Sequence, residues 1–356
     1  MAVQKIRQRQ TDYATGVYDS TTSTDIRASG ALTRIILRAH ILVGTSTMIS
    51  NHFTDAVWRI FDSIRVKGAG GVSYFSLGDH ECGIHLHLLN MYDKTINGTG
   101  HGKLVNFTEY TDAVFVLHFG SRPRDEYGRD NPFDLTAFIP AFDDAELKLE
   151  ISHAAELCMD GSGKYGSSPI YITTFQVFGT KGDILQEMAR QRVQIPAGAG
   201  GNCMIPVSTY ISEAHLGTKT DFSYEKDVPT GTYLRRISIL ELDASTPNTR
   251  MDDQVTALAL KLPQSSQRLI QEDLAALTYT QGSIESLQEA DVAVTTGVQQ
   301  TGPGWGVLDL RQHADPDYGF NLMPYGPGAV KLGMTMAYNS GEDTYLWYDQ
   351  VRPYRF

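Results

Sequence analysis

The sequence predicts an all-β protein built from two tandem antiparallel sandwiches. Two observations support this fold class: short stretches alternate apolar and polar residues between long polar loops, and one pattern of such stretches occurs twice along the 356 residues. The composition agrees, because Gly (33), Tyr (18) and Phe (14) are abundant and favour turns and strands. With 41% apolar residues, the chain can build the cores of two domains of ordinary size.

Period-two alternation predicts strands in both halves of the chain. In the first half they are Leu32–Leu42, Ser63–Lys67, Val72–Phe75, Val114–Phe119, Leu147–Ser152 and Ile170–Phe178. In the second half they are Leu234–Leu242, Val255–Leu262, Val307–Arg311, Val330–Met336 and Thr344–Val351. Two short helices are predicted in the loops, at Asp79–Tyr92 and Ser265–Leu277, because each begins at a residue that can cap a helix N-terminus.

The second half repeats the first. Asp25–Ile35 aligns with Asp227–Ile237, and Tyr171–Val177 aligns with Tyr345–Val351. Three matches lie between them in the same order: Ser63–Lys67 with Ala257–Lys261, Val116-Leu117 with Val307-Leu308, and Leu147–Leu149 with Val330–Leu332. The offset between matched residues falls from 202 to 174 along the chain, as expected if the second copy has shorter loops. The sequence therefore predicts a duplication.

Neither copy alternates strands with helices, so each is most simply a two-sheet sandwich of the jelly-roll type. An immunoglobulin-like sandwich would give a similar set of strands. The predicted domains are an N-terminal arm (1–24), a first jelly roll (25–180), a linker or loop (181–226) and a second jelly roll (227–356). The linker includes the Gly-rich segment Ala197–Asn202, which is typical of a turn.

Charge argues against a surface that binds nucleic acid broadly, because the net charge is −11 and phosphate contacts need Lys and Arg. The local exception is the group Lys5, Arg7 and Arg9. Such a basic arm could contact nucleic acid or an anionic lipid surface. The alternative is a solvated, partly disordered tail.

Cysteine usage and hydropathy point to a soluble protein made in a reducing cytosol. The three cysteines are widely spaced and form no Cys-x-x-Cys pair, so neither a disulfide framework nor a zinc site is expected. The N-terminus lacks the apolar core of a signal peptide, and no apolar run reaches the length of a transmembrane helix.

Catalytic motifs are scarce, and we expect no enzyme activity, cofactor or metal. The best metal candidate is His85-Leu-His87 with His80 nearby, since a His-x-His pair on a strand points both rings to one face. The segment is predicted to be helical, however, where the two rings would diverge, so surface or interface histidines are the simpler interpretation. A Gly-x-Ser-x-Gly elbow and a phosphate-binding Gly-rich motif are both missing from the sequence.

Each copy begins with an Asp-aliphatic-x₅-Leu-x-Arg-Ile pattern, has a short predicted helix after an early strand, and ends with Tyr-x₄-Gln-Val. In these features and in size, Asp25 to Pro353 resembles the double jelly-roll major capsid proteins of tailless, often membrane-containing, icosahedral viruses, including bacteriophages. The resemblance implies a homotrimer that forms a pseudo-hexagonal tile. It also implies assembly with neighbouring trimers and with penton and minor capsid proteins, in the host cytoplasm and then in the virion.

The same resemblance implies that Lys5, Arg7 and Arg9 face the virion interior, toward the genome or an internal membrane. The aromatic C-terminus suggests a second candidate site, since interfaces between subunits are rich in Tyr, Phe and Arg. Tyr354, Arg355 and Phe356 are therefore a candidate intersubunit clamp, although an ordinary strand edge would explain the same residues.

Two other functions fit tandem jelly rolls. A carbohydrate-binding or receptor-binding spike module would show an exposed aromatic cluster and would not assemble. An enzyme of bicupin or glycosidase type would show a bound metal or a deep cleft lined with carboxylates.

Overall fold

The computed structural model describes residues 3–10, 14–16, 19–41, 58–78, 82–96, 111–143, 146–154, 168–214, 218–243, 249–250, 255–262, 268–273, 304–337 and 342–356. These residues form two compact units. The first unit takes in the described residues up to Ser208 together with Val351–Phe356, and the second takes in those from Thr209 to Gln350.

The first unit is an antiparallel two-sheet structure. In chain order its elements are β1 Gln4–Arg9, β2 Ala14–Gly16, β3 Thr21–Asp25, β4 Ala31–Ile41, β5 Phe61–Lys67, β6 Ser73–Leu77, α1 Cys82–Tyr92, β7 Thr111–His118, β8 Ile139–Pro140, β9 Lys148–His153, β10 Ser168–Phe178 and α2 Lys181–Arg190. One sheet has the order β1-β10-β4-β7, with β2 also on β10 and β8 also on β4. The other has the order β3-β9-β5-β6.

This connectivity is that of a jelly roll. If β2 and β8 are set aside, the main strands number eight, and one sheet contains the first, eighth, third and sixth of them. The other sheet contains the second, seventh, fourth and fifth. Two antiparallel four-stranded sheets connected in this order are two interleaved Greek keys, which is the definition of the jelly roll.

The second unit repeats this order. The strands of this second jelly roll are β11 Cys203–Ala214, β12 Lys219–Asp227, β13 Tyr233–Asp243, β14 Thr249–Arg250, β15 Val255–Lys261, β16 Arg268–Asp273, β17 Trp305–Asp309, β18 Phe320–Asn321, β19 Lys331–Met336 and β20 Glu342–Tyr354. The start of β11, up to Ser208, and the end of β20, from Val351, fall within the first unit. One sheet joins β11, β20, β13 and β17, with β14 and β18 also on β13, and the other has the order β12-β19-β15-β16. Each main strand of the first unit thus has a counterpart in the second.

The apolar residues of alternating strands form the cores. On β4, Ile35, Leu37, Ala39 and Ile41 are fully buried, whereas Arg38 between them is exposed. The second unit has a corresponding cluster of buried aliphatic side chains, which includes residues of β13, β15, β17, β19 and β20. Each fully buried Leu or Ile contributes about 1.5–3 kcal/mol through the hydrophobic effect, so these positions supply the main driving force for folding.

The repeated Gln of the Tyr-x₄-Gln-Val motif has a clear structural role. The Gln176 side-chain oxygen accepts a hydrogen bond from the backbone N–H of Ser29, at 2.9 Å. The Gln350 amide donates to the carbonyl of Pro229 at 2.8 Å and to the Thr232 hydroxyl at 2.6 Å. In each unit, therefore, side-chain hydrogen bonds of this Gln link the last strand to the loop that precedes β4 or β13.

The predicted all-β double jelly roll is confirmed. The strands predicted by alternation are all present, with ends that differ from the predicted ones by a few residues, and the described part of the first predicted helix is α1. The second predicted helix, Ser265–Leu277, is wrong where the structure describes it, because residues 268–273 form β16. Pairing with β15 overrides the local helical pattern, and β16 is the counterpart of β6 rather than of α1.

Two other predictions need correction at the level of secondary structure. The arm 1–24 contains β1, β2 and all of β3 except Asp25, and the linker 181–226 contains α2, β11 and all of β12 except Asp227, so the first two main strands of each jelly roll were not predicted. The reason is the same for β1, β3 and β12: their residues are largely polar and exposed, so no apolar alternation marks them. The Gly-rich segment Ala197–Asn202 is a turn as predicted.

Helix α2 was missed although its N-terminus has a recognisable signal. The Thr180 hydroxyl accepts a hydrogen bond from the Asp183 amide at 3.2 Å, and the Asp183 carboxylate accepts one from the Thr180 amide at 3.1 Å. This reciprocal pair is a capping box. A search for Thr-x-x-Asp would have found the start of the helix.

Candidate functional site

The three basic residues near the N-terminus lie on a paired strand. β1 pairs with β10 along its whole length, from Gln4 opposite Phe178 to Arg9 opposite Thr173. Because side chains two residues apart share a face of a strand, Lys5, Arg7 and Arg9 project on the same side. All three are exposed. Because β1 is paired, these residues form an ordered basic row and not a partly disordered tail.

Aromatic side chains of β10 support this row. The Arg7 guanidinium lies 5.5 Å from the centre of the Phe175 ring, and that of Arg9 lies 4.5 Å from the Tyr171 ring. Arg38 contacts the same tyrosine ring at 5.1 Å. Such cation–π contacts orient a guanidinium and leave its N–H groups available to a ligand.

The C-terminal residues Tyr354 and Phe356 are anchored within the first unit. Asn202 donates its backbone N–H to the Tyr354 carbonyl at 3.0 Å and its side-chain amide to the Phe356 carbonyl at 3.1 Å. The Phe356 ring packs 5.1 Å from the ring of Phe142. Arg355, between the two aromatic residues, is exposed. Because Tyr354 and Phe356 are anchored, the exposed Arg355 is held at the protein surface between them.

Close backbone packing contributes to this anchoring. A Cβ atom on Gly201 would lie 2.7 Å from both the N and O atoms of Tyr354, a separation that no larger residue allows. The Tyr354 hydroxyl also lies 3.4 Å from Asp143, whose carboxylate pairs with Lys181 at 2.7 Å. Burial, with the nearby negative charge of Asp143 as a second cause, raises the pKa of Tyr354. The C-terminal segment is therefore held in one place by contacts within its own chain.

The arginine of the repeated Leu-x-Arg-Ile motif is buried in both units. In the first unit, Arg34 donates to Asp130 at 2.7 Å and to Nδ1 of His118 at 3.1 Å. Because Nδ1 accepts this bond, the proton of the neutral ring is on Nε2, which lies 3.5 Å from Asp134. Burial, assisted by the charge of Arg34, lowers the pKa of His118 despite the nearby Asp134 carboxylate.

In the second unit the equivalent arginine has a different partner. Arg236 donates to the Asp349 carboxylate at 2.8 Å, and Arg235 donates to the same carboxylate at 3.1 Å through Nε. Burial opposes ionisation of Asp349, but the charges of the two arginines outweigh it and lower its pKa. The register places Asp309 opposite Arg236, as His118 lies opposite Arg34, and these buried pairs are part of the scaffold.

Two of the histidines singled out by sequence, His85 and His87, are core residues, so their assignment to a surface or interface is wrong. His85 and His87 lie on α1 and are buried, and His80 is outside the described residues. The His87 ring stacks on that of Trp58, with 3.6 Å between ring centres, while burial lowers the pKa of His85 to about 3.

A metal site and a disulfide are likewise not seen in the described part of the chain. Among these residues, no group of three or more His, Cys, Asp or Glu side chains converges. Cys82 and Cys203 are buried free thiols, and Cys158 lies outside the described residues. Within the same residues, no helix has the length and apolar character needed to cross a membrane.

Solved structures of the same fold cover nearly the whole chain. The MCP of STIV, Sulfolobus Turreted Icosahedral Virus, superposes with a TM-score of 0.69 over 98% of this chain and 97% of its own, at 14% identity. A PBCV-1 virus capsid chain gives 0.56 over 98% and 93%, at 10% identity. The major capsid protein P2 from Bacteriophage PM2 gives 0.53 over 99% and 98%, at 10% identity. No protein-family model and no curated protein matches the sequence.

Proposed function

We propose that this chain is a viral major capsid protein that self-assembles into an icosahedral shell. One observation carries the proposal: the chain consists of two complete jelly rolls and superposes over 98% of its length on the STIV MCP. Three chains with two jelly rolls each would supply six sandwiches, which suits a pseudo-hexagonal tile. The role is structural and not catalytic.

The partners of such a tile are further copies of itself and the proteins that close the shell. We infer a homotrimer, contacts between neighbouring trimers, and contacts with penton and minor capsid proteins. The chain would reside in the virion capsid and, during assembly, in the host cytoplasm.

The two candidate surfaces have distinct roles in this proposal. The exposed row of Lys5, Arg7 and Arg9 would face the interior, toward the genome or an internal membrane, because a row of cations suits phosphate groups. Arg355, held between the anchored residues Tyr354 and Phe356, would reach a neighbouring subunit as the intersubunit clamp.

Light scattering coupled to size-exclusion chromatography tests the assembly. We expect the purified full-length chain to show a mass near three times 39.3 kDa, or to grow into larger sheets or shells at moderate salt. A monomer that persists at high protein concentration would contradict the proposal and favour a spike module that binds carbohydrate or a receptor. Tightly bound stoichiometric metal after purification would instead favour an enzyme.

Charge variants test the basic row separately. The triple variant Lys5→Gln, Arg7→Gln, Arg9→Gln should keep the trimer mass but lose binding to anionic vesicles or to nucleic acid at low salt. Arg352 is exposed, and Arg352→Gln serves as the control for a general loss of charge. Unchanged binding in the triple variant would contradict the interior-facing role of this row.

A further inference from the structure

A polar cleft of about 630 Å³ lies in the first unit, between β1, the loop that connects β7 to β8, and the end of α2. Its lining includes five basic side chains, Lys5, Arg122, Arg124, Arg190 and Arg192. Three acidic residues also line it, Asp125, Glu126 and Asp134. Lys5 and Arg190 both pair with Glu187, at 3.2 and 3.4 Å, so the positive character of the cleft rests mainly on Arg122, Arg124 and Arg192.

Two of the arginines are fixed by main-chain carbonyl groups. Arg122 donates from Nη1 to the carbonyl of Gln191 at 3.0 Å. Arg124 donates from Nη1 to the carbonyl of Gly128 at 2.6 Å and from Nη2 to that of Lys94. A carbonyl partner orients a guanidinium without cancelling its charge, so both groups are arranged in advance to meet an anion.

Two of the acidic residues are occupied by donors of their own loops. Asp125 accepts hydrogen bonds from the backbone N–H groups of Tyr127 at 2.9 Å and Arg129 at 2.8 Å. Asp134 accepts from the backbone N–H of Arg122 at 2.6 Å and from Thr136. These hydrogen bonds orient both carboxylates within their own loop.

Arg192 provides an independent observation. Helix α2 ends in a Schellman motif, in which the Arg192 N–H bonds to the carbonyl of Ala189 at 3.1 Å and the Val193 N–H to that of Met188 at 2.9 Å. Arg192 has the left-handed φ of +55° that this motif requires, a conformation that favours glycine. Arg192 thus lines the cleft at some cost in backbone strain.

We propose that this cleft binds a small phosphorylated anion with two or more negative charges. Planar guanidinium groups match the geometry of phosphate oxygens, and the volume is within the range of small-molecule sites. The ring of Tyr127, which is 72% exposed, borders the cleft and offers an aromatic surface to a ring on the ligand. The inference goes beyond the capsid role and does not depend on it.

Isothermal titration calorimetry of the full-length chain with inorganic pyrophosphate tests the site. We expect saturable binding that weakens as NaCl is raised. Arg122→Gln and Arg192→Gly should each weaken pyrophosphate binding by about tenfold or more, as expected when one charge-assisted contact is lost. Arg352→Gln, the exposed control, should bind like the wild type.

Thermal unfolding of the same variants separates binding from folding. Arg192→Gly relieves the left-handed strain, so its unfolding midpoint should equal or exceed that of the wild type while its binding falls. Wild-type affinity in Arg192→Gly or Arg122→Gln would overturn the proposal. So would the absence of binding at millimolar pyrophosphate, or binding of the tricarboxylate citrate as tight as that of pyrophosphate, since either result rules out a phosphate site.

Discussion

Asp349 is the shared counter-ion of two buried arginines in the second unit, and its removal should destabilise this unit strongly. Arg235, Arg236 and Asp349 are each at most 4% exposed, and the carboxylate accepts hydrogen bonds from both guanidinium groups. Asp349→Asn keeps the shape but leaves two buried cations without their shared counter-ion. Removal of one partner from a buried ion pair costs about 3–5 kcal/mol, so we expect a loss of that size.

The assay is urea denaturation at pH 7, followed by tryptophan fluorescence, because Trp347 and Trp305 lie on strands of the second unit. Urea leaves the ion pairs unscreened, whereas guanidinium would not. The control is Asp227→Asn, which removes an ion pair with Lys331 in which the Asp227 side chain is 64% exposed. That change should cost less than about 1 kcal/mol.

The pH dependence provides a second readout of the same pair. The pKa of Asp349 is lowered in the folded state, so its contribution is present above the unfolded pKa of about 4 and is lost as pH falls through the folded value. The wild type should therefore lose more stability than Asp349→Asn on acidification below about pH 4. A loss below about 1 kcal/mol in Asp349→Asn at pH 7 would refute the reasoning, because it would mean that the arginines find other counter-ions.

Three further predictions follow from burial and backbone geometry. Burial lowers the pKa of His85 to about 3 and that of His153 to about 4. Because both values lie below the histidine pKa of about 6.5 in the unfolded chain, the unfolded state binds more protons and stability should fall as pH drops from about 6.5 toward 4. The loss should be about 2 kcal/mol per histidine at pH 5. His153→Gln should flatten that profile in urea titrations at several pH values. Gly319→Ala should cost far more than Gly128→Ala: both glycines have positive φ, but only the Cβ at position 319 would meet a backbone oxygen at 2.2 Å, whereas that at 128 meets nothing within 4 Å. Gly128→Ala should cost only about 1 kcal/mol, the usual penalty for a left-handed alanine, and equal midpoints in thermal unfolding would contradict the argument. Thr180→Ala removes the hydroxyl of the capping box on α2 and should cost about 1 kcal/mol, and an unchanged midpoint would indicate that the cap contributes nothing.

Alternation and repetition determined much of this fold at the level of sequence. Strand β4 buries alternate side chains from Ile35 to Ile41, and that pattern is visible in the sequence without any structure. The duplication was visible for the same reason, because the matched segments are the core strands of each unit. The edge strand β1, with the sequence QKIRQR, carries no such pattern. It is a strand because it pairs with β10.

The candidate sites divide in the same way. A basic group at Lys5, Arg7 and Arg9 can be recognised from composition alone, but the pairing of β1 decides that it is an ordered row. The cleft could not be predicted, because its cations come from three separate segments, of which those with Lys5 and Arg122 are more than a hundred residues apart.

The fold class, the duplication and the core strands can be predicted from the sequence, because a buried face leaves a periodic pattern in the order of residues. The structure was needed to find the first two strands of each jelly roll, the strand β16, the burial of His85 and His87, and the arrangement of charges around Asp349 and in the cleft. These features depend on which distant segments come together. Hydrogen bonds and charges between such segments leave no periodic pattern along the chain.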